Sequence, residues 1–67
     1  MNNYEKSAMT MAEYHADRVE QLLLDGKDKE AKAELITGFT HISGTFTGIA
    51  RKKALSWLAS YYSAVKS

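Results

Sequence analysis

Thr37-Gly38-Phe39-Thr40-His41-Ile42-Ser43-Gly44-Thr45-Phe46-Thr47-Gly48 is the stretch whose reading decides the fold. It holds four threonines, three glycines and a serine, residues that propagate a helix poorly. Read as strands, Phe39 to Ile42 and Thr45 to Thr47 flank a two-residue Ser43-Gly44 turn. That reading gives an α+β fold with a short β-hairpin near residues 39–47. Read as helix, the stretch extends an apolar row of Ala31, Leu35, Phe39 and Ile42 at i, i+4, i+8 and i+11. A lone two-stranded hairpin is marginal in water, and the row passes through Phe39 and Ile42 unbroken. The helical reading, to about Ile42 and then a loop, is preferred.

On either side the pattern is plainly helical. Over residues 3–25, Tyr4, Ala8, Met11, His15, Val19, Leu22 and Leu23 share one face, opposite Lys6, Glu13, Asp17 and Glu20. Asp25-Gly26-Lys27 ends this helix, with Gly26 suited to a left-handed C-terminal cap. Asp28 is a candidate cap for the next helix. Two amphipathic helices joined by a short turn make an antiparallel hairpin. Gly38 borders its apolar row, where a missing side chain lets a neighbouring helix approach closely. A last helix is expected from Gly48 to Val65, capped by Thr47 or Thr45. Trp57, Ala50, Tyr61, Ala54, Val65, Leu58, Tyr62 and Leu55 fall in one broad arc of it. The expected architecture is all-α: a single compact three-helix domain over residues 1–67, an N-terminal helical hairpin crossed by a C-terminal amphipathic helix.

A chain of 67 residues buries only about 60 % of the surface its unfolded form exposes. Chains of this size lean on disulfides, a metal or association. There is no cysteine, and the two histidines, His15 and His41, lie far apart in sequence, so no structural metal or cofactor is expected. Neither histidine has Asp, Glu or His at i±3 or i±4, and His15 reads as a core or interface histidine satisfied by its surroundings. Association remains, and a homodimer is expected, with the Trp57/Tyr61 face at or near the interface. The first residues lack an apolar signal core, and the longest apolar runs are three residues, so no membrane span is expected and a cytoplasmic location is read.

The charges are segregated. All eight carboxylate side chains stand at or before Glu34, among five cations; after it come Arg51, Lys52, Lys53 and Lys66 alone. Such asymmetry concerns association and not fold. Arg51-Lys52-Lys53 opens a helix, where cations oppose the macrodipole, a placement that suits an anion trap as well as a solvated turn. Its spacing does not match a phosphate-cradling loop, because Gly48 is followed by Ile49 and Ala50. Trp57 and Tyr61 beside it suit core and interface before base stacking. Glu13, Asp17 and Glu20 form an acidic ladder whose ordinary reading is a solvated face. No nucleophile elbow, metal pair or cofactor loop is present, and no enzyme is expected. The expected function is a small non-catalytic protein-binding regulator or inhibitor of the kind phages and mobile elements encode. Its partner-binding residues are Arg51, Lys52, Lys53, Trp57 and Tyr61, with Glu13, Asp17 and Glu20 as an opposing acidic patch. The alternative is nucleic-acid binding through the basic patch of the last helix, against which a pI near 8.0 weighs.

Overall fold

A computed structural model describes residues 2–65. Three helices run α1 (Asn3–Leu24), α2 (Asp28–Thr45) and α3 (Gly48–Ala59), followed by a single helical turn, α4 (Tyr62–Val65). The all-α architecture holds. The β-hairpin near 39–47 does not form: α2 runs through Phe39, Ser43 and Gly44 to Thr45, three residues beyond the expected end. Burial decides the matter. Ile42 is fully buried, and Phe46 closes the helix in extended conformation with its N–H donating to the Ile42 carbonyl at 2.9 Å. As paired strands, these residues would have to give up that packing for a two-stranded ladder.

The ends of the helices follow local chemistry. Asn2 caps α1, its Oδ1 accepting the Glu5 N–H at 2.8 Å. At the other end Gly26 adopts φ +75°, the Lys27 N–H donates to the Leu22 carbonyl at 2.8 Å and the Gly26 N–H to Leu23 at 3.0 Å. This is a Schellman ending, open to glycine because it lacks a Cβ. Asp28 is not the cap of α2. Lys27 holds that position without a side-chain bond, and Asp28 and Glu30 sit in the first turn, where carboxylates favour the macrodipole. Thr47 holds the cap position of α3, also without a side-chain bond.

The last helix is shorter than expected. Ser60 and Tyr61 donate backbone N–H bonds three residues back, to Trp57 at 3.2 Å and Leu58 at 3.1 Å. Ser60 Oγ competes for the same Trp57 carbonyl at 2.6 Å. The i−3 pattern tightens the chain and ends α3 at Ala59.

α2 runs antiparallel to α1. Contacts from Tyr4 to Thr47 and from Glu20 to Tyr61 set α3 parallel to α1. The bundle measures 36 × 16 × 14 Å. Its core is largely alanine: Ala8, Ala12 and Ala16 on α1, Ala31 on α2, Ala50 and Ala54 on α3, with Val19, Leu35, Ile42 and Leu58 filling the rest. The buried stripe of α1 is therefore rotated toward Ala12 and Ala16, leaving Tyr4 exposed and Met11, Leu22 and Leu23 half-buried. Small side chains at a contact allow helix axes to approach toward the short end of the usual 8–10 Å range. The accessible surface is 4482 Å², close to the roughly 4,200 Å² of a compact 7.5 kDa monomer.

Gly38 is the tightest point. A Cβ there would stand 2.7 Å from Leu58 Cδ2 and 3.0 Å from His15 Cβ, whereas one at Gly44 would meet nothing within 4 Å. Gly38→Ala is expected to destabilise by about 1–3 kcal/mol through overpacking. Gly44→Ala is expected to stabilise by a few tenths to about 1 kcal/mol through helix propensity. Urea unfolding of the two variants should give opposite signs.

Candidate functional site

Two arrangements of side chains stand out, one on each flank of α1. The first is the surface of α3 and its neighbour edge on α1. Consecutive helical residues are set about 100° apart, so Arg51, Lys52 and Lys53 spread over about 200° of α3. They do not form one knot. Lys52 lies opposite the buried row of Ala50, Ala54 and Leu58, and Arg51 and Lys53 fall on opposite edges. Lys53 crosses to α1, where its Nζ donates to Glu5 Oε1 at 2.8 Å. That bond, the largest influence, holds the Glu5 carboxyl below its ordinary range. Trp57 is 42 % exposed and Ile49 67 %, while Tyr61 is half-buried.

Glu13, Asp17 and Glu20 are exposed, and of the three Glu20 stands at the edge of α1 beside α3. Glu20 accepts a hydrogen bond from the Tyr61 hydroxyl at 3.3 Å. Burial first, and the nearby Glu20 and Asp17 charges next, push the Tyr61 phenol up. Two groups expected on opposing patches thus meet within one molecule. Lys66, counted with the C-terminal cations, lies outside the described residues.

The second arrangement is a chain of polar groups across the α1/α2 seam. Arg18 Nε donates to Glu34 Oε1 at 3.2 Å, and Glu34 Oε2 lies 2.7 Å from His15 Nδ1. His15 Nε2 lies 3.1 Å from Nδ1 of His41. His15 is only 4 % exposed; His41 is on the surface. The ring of Tyr14 meets that of His15 edge-on at 5.3 Å. Glu34 raises the Arg18 guanidinium above its ordinary value, chiefly through their hydrogen bond. His15 is indeed a satisfied core histidine, but Glu34 and His41, which satisfy it, stand on the other helix, beyond the reach of i±3 and i±4 spacing. A signal was available: the hairpin folds about Gly26-Lys27, which sets residue 15 opposite residue 38, with Glu34 and His41 one turn to either side.

No group of three or more His, Cys, Asp or Glu side chains is placed to hold a metal ion among the described residues. An open hollow of about 250 Å³ is lined by Tyr14, Asp17, Arg18, Gln21 and Leu22, all on α1. No described helix is long and apolar enough to cross a membrane. No protein-family model, curated protein or solved structure matches this chain.

The Glu5–Lys53 pair sets a pH dependence. Because Glu5 titrates below its unfolded value of 4.5, the pair stabilises the fold above that pH, and this is lost as pH falls through the lowered value. Lys53→Gln is expected to lower the urea midpoint at pH 7 at low salt. The gap from wild type should close in high salt and as pH falls through the lowered Glu5 value.

Proposed function

We propose that this protein is a non-catalytic binding protein that regulates or inhibits a protein partner through the outer face of α3. One observation carries the reading: the core closes on Ala50, Ala54 and Leu58, yet α3 still presents Trp57, Ile49, Arg51 and Lys52 to solvent. A tryptophan that the fold does not need to bury, on a helix whose other exposed positions include Arg51 and Lys52, has the composition of a binding hot spot. The partner surface it suits offers an apolar recess for Trp57 and carboxylates for Arg51 and Lys52. The acidic ladder of Glu13, Asp17 and Glu20 borders the same surface and suits cations at the partner's rim.

Nucleic acid is the weaker reading. The three cations diverge around the helix, Lys53 is already neutralised by Glu5, and the neighbouring edge of α1 is acidic. Phosphate binding depends on cations gathered along one groove. Self-association belongs to the same proposal: a homodimer through the Trp57/Tyr61 edge would cover the exposed indole. Sedimentation at micromolar concentration should then show a dimer that Trp57→Ala returns to monomer.

The test is affinity capture from a lysate of the source organism, with and without nuclease. Wild type is expected to retain a protein whether or not nuclease is added. Trp57→Ala with Arg51→Glu should weaken retention at least tenfold, since truncating a hot-spot tryptophan costs about 2 kcal/mol or more. Nuclease-sensitive retention, or equal retention by the variant, overturns the reading. Trp57 is the sole tryptophan, so a blue shift of its emission on binding reports the site directly.

A further inference from the structure

The chain from Arg18 to His41 plays no part in the proposed binding face, yet it is the most connected polar group in the molecule. Its protons can be counted. Arg18 on Oε1 keeps Glu34 a carboxylate, so Oε2 is an acceptor and His15 Nδ1 carries a hydrogen. The bond between His15 Nε2 and His41 Nδ1, at 3.1 Å, then needs one hydrogen between the two nitrogens. With both rings neutral, His41 Nδ1–H donates to His15 Nε2. One added proton is accommodated without breaking anything: one ring becomes the cation and donates, the other accepts, and the bond becomes charge-assisted.

A second proton has no place. It must land on whichever nitrogen is accepting, His15 Nε2 or His41 Nδ1, and two N–H groups then point at each other. Two imidazolium rings with centroids 5.3 Å apart also repel. The rings do not have equal freedom to separate. His15 is buried, with its Cβ packed against Gly38 of α2. His41 is exposed and free to turn outward. The charged and titratable groups around the pair are Tyr14 and Arg18 from α1 and Glu34 from α2. From α3, Leu58 packs on Gly38 and carries no charge.

We propose that Glu34, His15 and His41 form a proton-operated latch between α1 and the C-terminal part of α2, closed with no or one added proton and opened by the second. The unfolded chain takes a proton on each histidine near pH ~6.5, whereas the closed latch holds one at most. The unfolded state therefore binds more protons below that pH, and stability falls as the solution is acidified from about pH 6.5 toward pH 5. The Glu5 pair does not share this window, because it titrates below 4.5.

The test combines imidazole proton NMR with urea unfolding of the full chain between pH 7.5 and 5.0. In wild type the resonances of both rings are expected to move together in two coupled steps. His41→Gln should shift the titration of His15 and remove at least half of the acid-dependent fall in the urea midpoint. His41 is exposed, so the variant folds, and the wild-type titration alone is already decisive. Independent one-step titrations of the two rings, or an undiminished fall of the midpoint in His41→Gln, overturn the latch.

Discussion

Gly38 is the point where the three long helices meet. The absence of one methyl group there lets His15 of α1 and Leu58 of α3 close on the backbone of α2. The rest follows from that proximity. Helices this close leave room between them for alanines and little else, hence Ala8, Ala12 and Ala16 facing Ala50 and Ala54. Such a core buries less apolar area per residue than a leucine core. It also loses almost no side-chain entropy on ordering, since alanine has none to lose. The larger buried residues, Val19, Leu35, Ile42, Phe46, Leu58 and Val65, then plug what the alanines leave open.

The same closeness organises the polar groups. A histidine buried against glycine needs partners for both ring nitrogens, and the flank of α2 supplies Glu34 one turn before Gly38 and His41 one turn after it. On the other flank of α1, Glu5 reaches Lys53 of α3 and Glu20 reaches Tyr61 just beyond it. The segregation of charge along the chain is thereby partly cancelled in space. Parallel packing of α3 on α1 brings the cationic opening of one against the acidic opening of the other, and the electrical asymmetry of the sequence becomes a pairing within the molecule.

Much of this was legible beforehand, for definable reasons. Periodicity located the helices, and Gly26 and Gly38 announced a left-handed cap and a close approach because no other residue does either job as cheaply. The 37–48 stretch was ambiguous because propensity and periodicity disagreed there, and tertiary burial of Ile42 and Phe46 settled it. The rotation of the α1 stripe toward Ala12 and Ala16 was missed because alanine is a weak marker of burial; it reads as filler on either face. The Ser60 break was missed because a serine Oγ competing for a backbone carbonyl leaves no trace in hydropathy. The splay of Arg51, Lys52 and Lys53 was derivable from helix geometry alone, and adjacency in sequence disguised it. Glu34 and His41 required pairing the two arms of the hairpin residue by residue.

The parallel setting of α3 on α1 also governs how the chain reaches this state. The hairpin of α1 and α2 closes through one tight turn, so its pairings begin between near neighbours and zip outward from Gly26. The α1/α3 pairings join residues more than forty positions apart, as Glu5 to Lys53 and Tyr4 to Thr47 do. Closing so long a loop costs more entropy than closing the hairpin turn, which slows the pairing of distant residues. The hairpin is thus the natural nucleus and the docking of α3 the late step. Before that step the alanine seam of α1 lies open to water, and the face of α3 later turned outward is not yet distinguished from the face turned in.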